Sequence, residues 1–410
     1  MTRYVIIGNG IAGISAAETI RSLDREGNIT IIAEEKVPPY SRPMISLALE
    51  GSIGHEQLPI RPPDFYSKFG IDALIGERAL SIDVDGRRVI TAQGRTLEYD
   101  RLLIASGAGP RPIKAVGTDL ANVSFMRTEA HVGKMLRVLP EIKHALVLGG
   151  GLVGFKAAYG LMRRGIKVTM LIRSSYPLSM QLDSNAGQLV LHELVANGLE
   201  VRTGVEATAF AGTNGVQEAH LSTGSHLTCQ LVVIGKGVLP ALDFVPRDRI
   251  QVDLGIMVDD HLQTTVRGVF AAGDVAQAMD VARKRSWVNA IWPVAVEQGR
   301  LAGANMAGRP VSYRGSLGRN VMRIFGLDVM SGGIVTPPEN NGYTVLSRFD
   351  PIRRIYRKVT LQGDTLVGLV MVGGIEQGGV LLSLIQRCLP LTVEPESLLE
   401  PSFNCGTLLA

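Results

Sequence analysis

Apolar and polar positions along the chain follow a strand-then-helix rhythm that occurs twice. Arg3 to Ile7 is a short β-type run; a glycine-rich break follows, then an alanine-rich helix to about Leu23 and a second apolar strand, Ile29 to Ala33. The same order returns as a strand Ala145 to Leu148, a helix Phe155 to Arg164 and a strand Lys167 to Ile172. Between and after the copies, two further buried-type runs end in small residues: one at Ala105-Ser106-Gly107, the other at Gly273-Asp274. Toward the C-terminus, Arg354 to Leu361 alternates moderately, Gln362-Gly363-Asp364 is a turn signal, and Thr365 to Val372 is a partner strand. A helix from Val380 to Arg387 follows.

Length and composition narrow this picture. At about 150 residues per domain, 410 residues predict two or three domains. A 46% hydrophobic and 20% charged content excludes a disordered chain. The 47 glycines have no collagen-like period, which points to tight turns and phosphate loops. The 42 basic residues are scattered among 38 acidic ones, so no nucleic-acid-binding stripe is expected. The apolar stretch Thr365 to Ile385 is broken by Glu376, Gln377 and several glycines, so it reads as strand and helix and not as a membrane span. Cys229, Cys388 and Cys405 lie too far apart for an iron-sulfur, zinc or disulfide framework. With no signal-peptide pattern at the start, a cytoplasmic location is expected. The seven histidines, His55, His131, His144, His192, His220, His226 and His261, read as isolated surface or capping residues, and no metal is expected.

The breaks carry the chemistry. Gly8-Asn9-Gly10-Ile11-Ala12-Gly13 joins the first strand to its helix, and Glu34-Glu35 ends the second strand. In such a fingerprint Gly8 makes the turn, Gly10 lets backbone N–H groups approach a pyrophosphate, Gly13 lets the helix pack closely, and Glu34 accepts a ribose hydroxyl. The second copy, Gly149-Gly150-Gly151-Leu152-Val153-Gly154, ends differently: Ile172-Arg173-Ser174-Ser175 offers no carboxylate. Arg173 either pairs with a 2′-phosphate or stacks on adenine in solvent, which leaves NAD against NADP open. Asp274 is either an acceptor for a polyol hydroxyl or a helix N-cap.

Together these segments resemble the flavoprotein family of pyridine-nucleotide-dependent reductases that bind two dinucleotides. The nearest branch holds rubredoxin and ferredoxin reductases, nitrite reductase flavin domains and apoptosis-inducing factor. The resemblance implies an α/β fold: two Rossmann-like, glutathione-reductase-like dinucleotide-binding domains plus a small C-terminal α+β domain. Residues 1–113 and 241–309 would bind FAD, 114–240 would bind NAD(H) or NADP(H), and 310–410 would form an interface domain. It also implies that Pro39-Tyr40-Ser41-Arg42-Pro43-Met44-Ile45-Ser46 lies along FAD, that Ala79 meets the adenine and that Arg127 approaches the flavin. Trp292, Pro293, Ala295 and Gln298 would lie at the helix start beside the flavin pyrimidine, and Gly237 would lie on the pyridine-nucleotide side.

Two departures from that pattern shape the functional reading. Ser46-Leu47-Ala48-Leu49 lacks the redox cysteine of the thiol-dependent branches, so electrons are expected to leave the flavin directly. Where relatives place a lysine and a glutamate near the flavin, this chain has Leu47 and Lys156, which makes Lys156 the expected cation beside the reduced ring. The expected activity is electron transfer between NAD(P)(H) and an external iron-sulfur protein, either a diffusible rubredoxin or ferredoxin or a permanent subunit of a complex such as an aldehyde oxidoreductase. A self-contained NAD(P)H oxidase or quinone reductase, and a redox-sensing binding protein, are the alternatives. Homodimerisation or assembly into a larger complex is left open.

Overall fold

The computed structural model describes residues 1–339, 341–400, 403, 404 and 406. Eight α-helices are described: α1 (Ile11–Leu23), α2 (Ile45–Glu50), α3 (Phe65–Lys68), α4 (Glu129–Val138), α5 (Leu152–Arg163), α6 (Ser184–Ala196), α7 (Trp292–Met306) and α8 (Gly378–Arg387). The chain divides into two compact units, residues 1–43, 56–109 and 239–318, and residues 44–55, 110–238 and 319–410.

The first unit is built on a five-stranded parallel sheet with Arg3–Ile7 at its centre. Asn28–Ala33 and then Ile71–Ile75 lie on one side, Arg101–Ile104 and then Val269–Ala271 on the other. These strands are almost continuously apolar because both sheet faces are covered, as parallel sheets require. Helix α1 buries Ile14, Ala16, Ala17 and Ile20 beside Ile6, Ile29 and Ile31. Helix α7 crosses α1 at backbone distance: a Cβ on Gly299 would sit 2.3 Å from the Ala12 carbonyl oxygen, and one on Gly303 would sit 2.6 Å from that of Ala16. Any side chain at either glycine therefore pushes the two helices apart.

The second unit repeats the plan with His144–Leu148 at the centre, Lys167–Ile172 and Glu200–Thr203 on one side, and Leu231–Ile234 and Val123–Phe125 on the other. Its fingerprint helix, α5, is covered by α2. The α2 carbonyls of Ala48 and Leu49 accept hydrogen bonds from the Arg164 guanidinium, a cation placed where the helix dipole favours one. A three-stranded antiparallel meander (Ala207–Ala211, Glu218–Leu221, His226–Thr228) packs its inner face on Leu146, Leu148 and Val232.

The C-terminal part is a five-stranded antiparallel sheet in the order Arg319–Ile324, Leu327–Gly333, Thr365–Val372, Ile355–Gln362, Tyr343–Asp350, with α8 against it. The expected hairpin turns at Gly363, whose φ of +61° suits glycine. The division by packing shifts the other boundaries by two to nine residues and differs more substantially in two places. Residues 44–55 group with the second unit because α2 needs α5 to bury Ala48 and Leu49. Residues 319–410 group there as well, through the ion pairs Arg354–Glu193 (2.8 Å) and Lys358–Asp183 (2.9 Å).

Candidate functional site

In both units the glycine loop sits at the carboxyl edge of the central parallel strand, the edge where α/β sheets bind ligands. In the first, Gly8 (φ +119°) donates its N–H to the Ile32 carbonyl at 2.8 Å, and a Cβ on it would meet the Ala105 oxygen at 2.1 Å. A Cβ on Gly13 would meet the Gly8 oxygen at 2.0 Å. Gly10 is different, because a Cβ there would meet nothing within 4 Å. The loop thus packs tightly behind and opens in front. Gly10 is the N-cap of α1, with no side-chain cap and no acid in the first turn, so its free N–H groups face that opening.

Around this opening the first unit gathers most of the residues expected to line it. Ser106 donates its hydroxyl to the Ala241 carbonyl at 2.9 Å, and Gly107 (φ +71°) follows it. The Gly273 N–H donates to Gln298 Oε1 at 2.8 Å, and a Cβ on Gly273 would lie 3.1 Å from that of Ala12 and 3.6 Å from that of Ala295. Helix α7 begins at Trp292 and Pro293 with Ile291 as N-cap, again with no side-chain cap and no acid in its first turn. Asp274 is no N-cap, because a strand, Ala276–Asp280, follows it. Arg42, just before Pro43 in a 3-10 turn, is clamped by Glu35 and by the Tyr40 hydroxyl. Burial opposes the Arg42 charge, yet Tyr40, Glu35 and then Asp274 raise its pKa above the ordinary arginine value. Glu34 is exposed and lies 3.7 Å from Arg78, next to the buried Ala79.

The second loop is nearly superposable in its chemistry. Gly149 (φ +105°) donates to the Leu171 carbonyl at 2.8 Å, a Cβ on Gly154 would meet the Gly149 oxygen at 1.8 Å, and Gly151 has open space in front. Helix α5 begins at Leu152 and Val153 with Gly151 as an N-cap that offers no side chain. By contrast, α4 and α6, which carry no fingerprint, are capped by Thr128 and Asp183. Both fingerprint helices thus begin on a glycine with open space in front and unpaired N–H groups, so the residues present fit two pyrophosphate-bearing cofactors.

The sequence reading missed Glu206. The Val205 N–H donates to the Ile172 carbonyl at 3.2 Å, which sets Glu206 beside Arg173 at the end of the second fingerprint strand. Glu206 pairs with Lys236, next to Gly237 (φ +89°); the Lys236 hydrogen bond, and then the charges of Lys236 and Arg173, hold its carboxyl below the usual range despite some burial. Only the strand register brings residues 173, 206 and 236 together, so no local motif announces them. Lys156, at the start of the second turn of α5, makes no hydrogen bond or ion pair with the described residues. The residue is exposed, while desolvation of the ammonium lowers its pKa. Arg127 is half-buried between the Val123–Phe125 strand and α4.

Packing bears on two further expectations. Cys229 is buried with its thiol pushed up to about 12 by burial and then by Glu218, and Cys388 closes α8; Cys405 lies outside the described residues. The histidines are not all isolated. His131 completes a capping box with Thr128, as a capping residue would, but His220 and His226 meet around Glu218 because they face each other across two antiparallel strands.

Two glycine loops opening on uncapped helices, each on its own parallel sheet, define the class of flavin- and pyridine-nucleotide-binding reductases. The chain belongs to the pyridine nucleotide-disulphide oxidoreductase family, whose model matches residues 2–299, and residues 319–388 match the rubredoxin NAD+ reductase C-terminal domain. FAD and NAD(P)H are the cofactors of this family. The chain is 32% identical over 394 residues to the NADH-dependent phenylglyoxylate dehydrogenase subunit epsilon of Aromatoleum evansii, covering 95% of this chain and 93% of that one. It is 29% identical over 401 residues to the assimilatory nitrate reductase electron transfer subunit of Bacillus subtilis (strain 168), covering 97% of this chain and 51% of the other. It therefore spans about half the length of some of the curated relatives it matches. Among solved structures, the covalent putidaredoxin reductase–putidaredoxin complex matches with TM-score 0.90 and 26% identity, over 100% of this chain and 98% of that one. No helix among the described residues is long and apolar enough to cross a membrane.

Proposed function

We propose that the chain is an FAD-dependent oxidoreductase that moves electrons between a pyridine nucleotide and the iron-sulfur centre of another protein or subunit. The observation that carries this reading is the pair of open, uncapped glycine loops in a chain whose described cysteines are a buried thiol and a helix-end thiol. When bound, FAD supplies hydride exchange with the nicotinamide and release of electrons one at a time. The chain's own work is positional. Gly8, Gly10, Ala12 and Gly13 seat the FAD pyrophosphate on α1, Glu34 accepts the adenosine ribose, and Arg42, held by Glu35, lies along the flavin arm. The α7 start favours negative charge on the flavin pyrimidine. Gly149, Gly151, Leu152, Val153 and Gly154 seat the pyridine nucleotide, and Lys156 is the cation that steadies the reduced ring.

Glu206 supports a preference for NADH. A carboxylate beside Arg173, already engaged by Lys236, competes with a 2′-phosphate for both cations and offers an acceptor to ribose hydroxyls. Relatives named for rubredoxin and for phenylglyoxylate dehydrogenase, together with the putidaredoxin complex, support an iron-sulfur partner. The cytoplasm, with its reducing poise, is the compartment that suits free thiols at Cys229 and Cys388. The deciding experiment is anaerobic. NADH should bleach the flavin of the purified chain, and an oxidised rubredoxin or [2Fe–2S] ferredoxin should restore its colour faster than oxygen or a quinone does. Faster turnover on oxygen or quinone with the chain alone would replace this reading with an oxidase or quinone reductase, and negligible turnover on every acceptor would favour a redox sensor.

A further inference from the structure

The meander of the second unit carries a cluster that the electron-transfer reading does not use. In its antiparallel register His220 lies directly opposite His226, and Glu218 lies two residues before His220, so all three side chains leave the same face of the sheet. The opposite face is fixed by Ala219, Leu221, Leu227 and Cys229, all buried in the unit's core. The hairpin between the strands is closed by the Leu221 N–H to Ser225 carbonyl bond (2.9 Å) and the Gly224 N–H to Leu221 carbonyl bond (3.0 Å). A register slip would turn the histidines inward and the core residues out, so the sheet fixes which face they occupy.

The donor atoms already converge. His220 Nε2 is 3.3 Å and His226 Nδ1 is 3.0 Å from the same Glu218 oxygen, and the two rings meet edge to face with centroids 4.6 Å apart. All three donor atoms lie within 4.8 Å of one another. A tetrahedral ion with bonds of about 2.0–2.2 Å spaces its ligand atoms about 3.3 Å apart, so little movement is needed to close around one. On the neighbouring strand the residues paired with His220 and Glu218 are the small Ala209 and Ala211. All three side chains remain partly exposed, which leaves the fourth position to water.

We propose that Glu218, His220 and His226 form a divalent transition-metal site of His2Glu type, taking zinc or an ion of similar preference. Imidazole suits zinc, nickel and copper, while a single carboxylate among two imidazoles disfavours calcium and magnesium. The ion would tie two strands of the meander together and leave both glycine loops untouched. The other group of this kind among the described residues, Asp259, Asp260 and His261, is contiguous in sequence and spends its carboxylates on its own turn and on Ser312.

The test uses the full chain stripped with EDTA and titrated calorimetrically with zinc chloride at neutral pH. One zinc per chain is expected, with a micromolar dissociation constant that weakens at least 10-fold in His220→Ala and in His226→Ala and by a smaller factor in Glu218→Gln. Zinc should also raise the melting temperature of the wild type but not of the His220→Ala/His226→Ala variant, while flavin content stays the same in both. Stoichiometric binding that survives in the double variant, or no binding in the wild type, overturns the assignment.

Discussion

The two glycine loops share one backbone design and differ in the residues beyond their second strands. Each has a first glycine at positive φ, a third glycine too close to the first to carry a side chain, and a middle glycine with open space before an uncapped helix. After the second strand they diverge. The first has the acids Glu34 and Glu35, with Arg42 clamped by the latter; the second has Arg173, with Glu206 and Lys236 arriving from the loops at the ends of other strands. In the proposed reading, phosphate recognition is carried by the main chain and repeats almost unchanged, whereas discrimination between cofactors rests on side chains and does not.

The strongest way to break this comparison is to fill the tight position. Gly13→Ala and Gly154→Ala place a Cβ about 2 Å from a carbonyl oxygen, and each should cost ~3 kcal/mol or more, read as a fall in denaturation midpoint. Wild-type stability in either would mean the loop packs differently from its twin. Filling the open position separates binding from folding. Gly10→Val should leave the far-ultraviolet circular dichroism intact and abolish flavin retention, while Gly151→Val should spare flavin and weaken the pyridine nucleotide, by titration, at least 10-fold. Full flavin content in Gly10→Val would show that the first loop does not hold the pyrophosphate.

The divergent part is addressed by Glu206→Gln. Removing the carboxylate frees Arg173 and Lys236 for a 2′-phosphate, which should shift the NADPH-to-NADH ratio of kcat/KM toward NADPH by ~10-fold, or about 1.4 kcal/mol. An unchanged ratio would place Glu206 away from the nucleotide. Lys156→Met should lower the flavin potential by ~20–40 mV, corresponding to about 1–2 kcal/mol for a two-electron couple. Spectroelectrochemical titration checks this, and an unaltered potential would leave that lysine without an electrostatic role.

A smaller effect comes from a helix that carries no loop. Asp183 caps α6, accepts from the Tyr356 hydroxyl (2.6 Å) and pairs with Lys358; burial works against its charge, but these bonds hold its pKa below the ordinary carboxylate value. Its contribution is thus complete above the unfolded-state pKa and is lost as pH falls through the depressed folded one. Asp183→Asn should destabilise by ~1 kcal/mol at pH 7 and flatten the acid limb of the stability profile, measured by urea melts between pH 3 and 7.

Much of this was legible along the chain because the information is local. Gly8 to Gly13 and Gly149 to Gly154 each announce their strand, turn and helix within a single segment, and Gly363 announces the C-terminal hairpin. What escaped depends on pairing at a distance. Glu206 acquires meaning only when Val205 bonds to Ile172, and His220 only when register sets it opposite His226. The short helix α2 gives no internal sign of its destination, since six residues cannot bury a face alone and Gly160 on α5 supplies the flat surface that receives Leu49.

The strand that completes the first parallel sheet, Val269–Ala271, pairs with Arg101–Ile104 across more than 160 residues of intervening chain. During synthesis, therefore, the ribosome must deliver the whole of residues 110–238 before the first unit can close its sheet and receive α7. At about 5–20 residues per second, that wait lasts on the order of ten seconds, with the apolar edge of Arg101–Ile104 unpaired throughout. If the first loop holds FAD as proposed, its insertion should be a late event in the life of the nascent chain, and a chain truncated before residue 269 should retain no flavin.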